Sequence, residues 1–126
     1  MCYSEAMKIS VTKKFYFEAA HSLPLHNGKC KGVHGHSYEL EVTVSGPVLT
    51  EGSSTGMVMD FSDMSLIVER EIVSKWDHRF LNDEVPFVTT AELLAQECFS
   101  RLQKSGLSVT KVTLYETRKC SATVEL

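Results

Sequence analysis

His34-Gly35-His36-Ser37-Tyr38-Glu39-Leu40-Glu41-Val42-Thr43-Val44-Ser45 is the stretch that decides the fold. Tyr38, Leu40, Val42 and Val44 fall on one face, and Ser37, Glu39, Glu41, Thr43 and Ser45 on the other, until Gly46-Pro47 ends the run. A period of two is the mark of a β-strand with one buried face. Upstream, Ile9, Val11, Phe15, Phe17 and Ala19 repeat the pattern, interrupted by Lys13, and a turn-rich segment, Pro24 to Gly32, separates the two runs. Downstream, Val109–Thr117 and Ser121–Leu126 alternate again as closing strands. Between them the period lengthens. Ser62 can cap a helix carrying Met64, Ile67, Val68, Ile72 and Trp76. Thr89-x-x-Glu92 has capping-box spacing for a second helix that runs through Leu93, Leu94, Glu97, Cys98 and Leu102 to a stop at Gly106. A polar loop, Thr50 to Gly56, leads to a minor strand expected at 57–60. The order β-β-α-α-β-β lacks the strand–helix alternation of a parallel sheet. It predicts an α+β fold, an antiparallel four-stranded sheet with two helices on one face. Long alternating strands leave edges to be covered, so an oligomer closing sheet edge to edge is expected.

The rest of the composition agrees with one such domain. The chain has 126 residues, 43% hydrophobic and 23% charged. That is a globular balance long enough to close a core without disulfides. Residues 8–126 are expected to form the domain, with residues 1–7 an N-terminal appendage. A net charge of −3 offers no surplus of cations for a phosphate backbone, so nucleic acid is not an expected partner. No apolar run reaches the length of a membrane span and the N-terminus has no signal core, so no membrane association and a cytoplasmic location are expected. Cys2, Cys30, Cys98 and Cys120 have no framework spacing, as free thiols in a reducing compartment would.

Parity then singles out chemistry. His21 continues the apolar face of the first strand, His34 and His36 share the face of Tyr38 and Leu40, and Glu116 shares a face with Val112 and Leu114. Three imidazoles and a carboxylate thus lie at strand ends on inward faces, where polar groups need a partner, a metal or a ligand. A His-x-His pair with a third His from a neighbouring strand is the three-ligand set of catalytic zinc, with one position left open. The alternative is core histidines bonded to backbone carbonyls. Cys30, four residues before His34, reads as a fourth ligand, a reactive thiol or an incidental loop cysteine; Lys29 and Lys31 beside it favour the thiolate. Asp77-His78 suits a polarised imidazole for proton transfer, or a His placed at a helix C-terminus by the dipole. Glu116 needs a cationic or multi-donor partner, which is either a ligand with two parallel N–H groups or Arg118 or Lys119. Cys98 reads as core filler.

In order along the chain stand Phe17-Glu18-Ala19-Ala20-His21, Cys30-x₃-His34-Gly35-His36, Asp77-His78, Thr90-x-Glu92 and Tyr115-Glu116-Thr117. From about Lys8 to the C-terminus this set resembles the 6-pyruvoyl-tetrahydropterin synthase / 6-carboxytetrahydropterin synthase family. The resemblance implies the tunnelling fold (T-fold), with subunits closing into trimeric barrels that stack as hexamers and with active sites between subunits. It implies zinc (Zn2+) on His21, His34 and His36, and Cys30 as general base from the adjacent subunit. Asp77 and His78 would relay protons, and Glu116 would anchor the amino-pyrimidine edge of a pterin, with Thr90 and Glu92 in the same pocket. The implied substrate is 7,8-dihydroneopterin triphosphate. The three residues between Cys30 and His34 resemble the carboxy-forming bacterial type, which also releases acetaldehyde and serves 7-deazaguanine and queuosine synthesis. The pyruvoyl-forming type usually has a longer gap and does not cleave the side chain. A non-catalytic zinc- or pterin-binding module is the alternative of another class. Departures from the family pattern are Trp76 for a usual Leu, Thr89 for a common Pro and Leu93 for an Asn.

Overall fold

The structure is a computed structural model and describes residues 7–126. The expected appendage lies, but for Met7, outside the described residues. Ser10–His21 (β1) and His34–Ser45 (β2) pair antiparallel along their whole length, from Ser10 opposite Ser45 to His21 opposite His34. Val109–Thr117 (β4) pairs antiparallel with β2, and Cys120–Glu125 (β5) with β4. The alternation in the sequence sets this register. Phe15, Phe17, Tyr38, Leu40, Val42, Val112 and Leu114 all turn to one face and are buried there. Lys13, the interruption in the first strand, sends its ammonium to Ser65 Oγ on the first helix.

The sheet departs from the expected four antiparallel strands. Arg79–Phe80 (β3) pairs in parallel with Ala19 and Ala20, making a mixed five-stranded sheet of order β3-β1-β2-β4-β5. Two residues are too few to show a period, so this strand has no sequence signature. The minor strand expected at 57–60 does not form. Instead Leu49 N–H bonds Met57 C=O at 2.8 Å and closes the polar loop, and Asp60 starts the helix that follows.

Helix α1 runs from Phe61–Val68 through a π-helical segment, Glu69–Val73, to Ser74–Trp76. Its cap is Asp60 rather than Ser62: the Asp60 carboxylate accepts the Ser62 N–H at 2.7 Å, and a negative charge suits a helix N-terminus. Met64, Val68, Ile72 and Trp76 are all fully buried at a spacing of four. In an α-helix that spacing would drift by about 40° per step. The wider π turn takes up the drift and keeps the four side chains on the core side. From the second long helix Arg101 steadies this segment, donating to the Glu71 carbonyl at 3.2 Å and stacking 4.9 Å from the Trp76 ring.

A short helix, α2 (Leu81–Glu84), follows β3, and α3 spans Ala91–Lys104. Thr90, not Thr89, caps α3 by accepting the Leu93 N–H at 3.2 Å, so the capping box on Thr89 and Glu92 does not form. Thr89 is drawn instead into a buried network described below. Gly106 ends the helix region at φ +94°, as its position predicts. Helices α1 and α3 cover one sheet face, and the core between includes Leu94 and Cys98, both fully buried. Leu94→Ala is expected to cost about 2–5 kcal/mol, the range for a buried leucine. A urea midpoint left in place would contradict that packing. No described helix is long and apolar enough to cross a membrane.

Candidate metal centre and adjoining cavity

The register brings the three histidines together. His21 lies directly opposite His34 and diagonal to His36, which faces Ala19. Their ring centroids are 4.6, 5.1 and 4.9 Å apart, and one ligating nitrogen from each lies within 4.8 Å of the others. His21 is 1% exposed, and its Nδ1 donates to the Thr89 carbonyl at 2.8 Å. His34 Nδ1 donates to the Gly32 carbonyl at 2.8 Å. Each bond fixes the tautomer that leaves Nε2 as a free lone pair, the usual arrangement behind a metal-binding His. Buried Nε2 atoms of His21 and His36 have no hydrogen-bond partner. Glu116 stands 3.8 and 3.9 Å from them, too far for hydrogen bonds. Convergent orphaned imidazole nitrogens fit a divalent cation of zinc type, three protein ligands leaving an open position. Core histidines satisfied by carbonyls account for the Nδ1 atoms and not for the Nε2 atoms.

Burial is the main cause lowering the pKa of His21 and His36 below the ordinary 6.5, with the Glu116 carboxylate acting against it. Below 6.5 the unfolded chain therefore binds more protons than the folded one. The stability this contributes is full above that pH and is lost as pH falls. Metal-free protein is thus expected to melt at a lower temperature at about pH 5.5 than at about pH 7.5. Equal melting temperatures would contradict this environment.

Glu116 leads from the histidines into a cavity of about 620 Å³ between α3 and β5. Thr90, Glu92 and Gln96 line it with Glu116, and Cys120 and Ala122 form the β5 side. The structure thus brings the predicted Thr90, Glu92 and Glu116 to the lining of one cavity, and neither Arg118 nor Lys119 pairs with Glu116 among the described residues. Tyr38, read from the sequence only as core, adjoins the histidines. Its ring is 5.5 Å from that of His36, its hydroxyl is buried without a partner, and burial pushes its phenol pKa up.

Asp77 and His78 lie elsewhere, on the edge of β1. Asp77 Oδ1 accepts the Glu18 N–H at 2.9 Å, His78 N–H donates to the Glu18 carbonyl at 2.6 Å, and Asp77 Oδ2 is 3.1 Å from His78 Nδ1. The Glu18 N–H, first of all, holds the Asp77 carboxyl below its usual pKa. His78 sits at φ +62°, a conformation that costs a non-glycine residue about 1–2 kcal/mol. The two backbone-edge bonds to Glu18 hold it there. The His78 side chain is exposed and borders a cleft of about 470 Å³ with His36, Ser37 and Arg79. Cys30 is half-buried in a 3₁₀ turn, Lys29–Lys31, which the Leu23 N–H anchors by donating to the Cys30 carbonyl at 2.8 Å. It is not part of the histidine cluster.

A family model described as 6-pyruvoyl tetrahydropterin synthase matches residues 10–126. Strand-end imidazoles beside a carboxylate-lined cavity on this α+β sheet therefore mark an enzyme of the tetrahydropterin synthase class. The chain is 37% identical over 129 residues to the 6-carboxy-5,6,7,8-tetrahydropterin synthase of Haemophilus influenzae, across 85% of this chain and 92% of that protein. It is 42% identical over 99 residues to the Synechocystis protein of the same name, across 77% of each. The solved 6-pyruvoyl tetrahydropterin synthase of Caenorhabditis elegans superposes with a TM-score of 0.80 at 28% identity, over 95% of this chain and 96% of that one. The chain belongs to the 6-pyruvoyl tetrahydropterin synthase family.

Proposed function

We propose that the chain is a zinc-dependent 6-carboxy-5,6,7,8-tetrahydropterin synthase. It would convert 7,8-dihydroneopterin triphosphate to 6-carboxytetrahydropterin with release of acetaldehyde and triphosphate, a lyase step toward 7-deazaguanine and queuosine. The observation that carries the reading is the convergence of three strand-end imidazoles, two with orphaned Nε2 atoms, beside Glu116 at the mouth of a cavity. The names of the relatives and the short Cys30–His34 spacing favour the carboxy-forming over the pyruvoyl-forming product.

In this reading His21, His34 and His36 hold the ion. When bound, zinc supplies Lewis-acid polarisation of the substrate's side-chain oxygens. Glu116 accepts two N–H groups from the amino-pyrimidine edge, and Thr90 and Glu92 border the same ring. The short distance from Glu116 to the imidazoles would bring the pterin's side chain beside the three residues that would hold the ion. Cys30 acts as general base, reaching the site from a neighbouring subunit of a hexamer built as a dimer of trimers. Asp77 holds His78 to return a proton from the opposite side. The candidate cations for the triphosphate are Lys29, Lys31, Arg79, Arg118 and Lys119.

The test is to incubate zinc-loaded protein with 7,8-dihydroneopterin triphosphate, identify the pterin by mass and assay acetaldehyde. Carboxypterin with acetaldehyde is expected. A pyruvoyl product without acetaldehyde would move the protein to the other reaction of the family, and no turnover by folded, metal-replete protein would make it a binding module.

A further inference from the structure

His34 takes its orienting carbonyl from its own hairpin, two residues away, whereas His21 depends on residues more than sixty positions distant. The Asn82 side chain lies against the peptide of Ser22, the residue after His21. Its Oδ1 accepts the Ser22 N–H at 2.9 Å and its Nδ2 donates to the Ser22 carbonyl at 2.9 Å. β3 pairs with β1 only at Ala19 and Ala20, and Asn82 carries the pairing two residues further with a side-chain amide in place of a peptide. Thr89 is fully buried, and its hydroxyl lies 3.3 Å from the Ser22 carbonyl, 3.4 Å from Asn82 Oδ1 and 3.2 Å from His21 Nδ1. Its own carbonyl is the acceptor that fixes the His21 ring.

We propose that Asn82 and Thr89 are positioning residues for His21: Asn82 clamps the backbone after it, and Thr89 holds its ring in the Nδ1–H tautomer with Nε2 aimed at the metal position. The proposal rests on the metal-centre reading and adds to it why the strand end does not fray. A strand terminus with no ladder partner on one side is free to twist, and a ligand carried on it would lose its aim. Outer partners of this kind orient a ligating His and raise its basicity. The arrangement also accounts for a hydroxyl-bearing residue at position 89: its hydroxyl meets Ser22 and Asn82, which a proline there would lack.

The test pairs zinc affinity, by competition with a chromophoric chelator, with the ring protonation of His21 in metal-free protein, by long-range ¹H–¹⁵N NMR. Asn82→Ala is expected to bind zinc about 10–100-fold more weakly and to show His21 partly as the Nε2–H tautomer, with the far-ultraviolet circular dichroism unchanged. Thr89→Val keeps the volume and removes only the hydroxyl, whose contacts with Ser22 and Asn82 hold the Thr89 carbonyl in line with His21 Nδ1; it is expected to shift both readouts in the same direction by a smaller amount, which guards against a folding defect in the first variant. Wild-type affinity with a wild-type tautomer in both variants overturns the proposal. If the unmutated protein binds no zinc, the metal reading fails and the tautomer still decides. A ring that stays Nδ1–H in both variants overturns the positioning role, and a mixed ring upholds it.

Discussion

Cys30→Ala is expected to lower turnover about 10²–10⁴-fold, the contribution of a positioned acid or base, while zinc content and affinity stay at the level of the unmutated protein. The expectation follows from where the thiol is. Cys30 is half-buried in a short turn pinned to Leu23, flanked by Lys29 and Lys31, and apart from the histidine cluster of its own chain. A group so placed serves chemistry without serving the metal, and the intersubunit arrangement proposed above is what brings it to substrate. Turnover and metal content measured on one preparation separate the roles. Loss of zinc along with turnover would make Cys30 a ligand, and unchanged turnover would make it an incidental loop residue.

His34→Ala is expected to lose both properties: zinc is removed on desalting and turnover falls to background. Removing His34 disturbs the fold less than removing His21. It is only half-buried and its Nδ1 bond goes to the local turn at Gly32, whereas His21 is buried beneath Thr89. The effect on metal binding should exceed the 10–100-fold loss typical of an outer partner, because two imidazoles remain where three are needed. A variant that keeps one zinc per chain and its activity would contradict the three-imidazole centre.

These effects were legible in the sequence to the degree that local periodicity carried them. Alternation at Tyr38, Leu40, Val42 and Val44 fixes the buried face of β2, and extending that parity puts His34 and His36 on it, His34 opposite His21 and His36 diagonal to it. Glu116 follows by the same count along β4. The π segment of α1 was not legible, although the strict spacing of Met64, Val68, Ile72 and Trp76 is its trace. The parallel strand Arg79–Phe80 leaves no such trace, because two residues have no period. Asn82 and Thr89 escaped for a related reason. Their bonds run from side chain to backbone across 60 and 68 positions, and neither hydrophobic pattern nor capping spacing records such a contact. Thr89 even carried a misleading signal, since Thr89-x-x-Glu92 has the spacing of a capping box that Thr90 pre-empts.

The central claim is an open three-imidazole centre, because openness separates a catalytic site from a structural one. X-ray absorption at the zinc edge of the zinc-loaded protein tests it directly. The account predicts a first shell of nitrogen and oxygen only, at about 2.0–2.1 Å, with the outer scattering of three imidazoles and a remaining light-atom ligand. A sulfur neighbour at about 2.3 Å would close the centre with a cysteine and contradict the account.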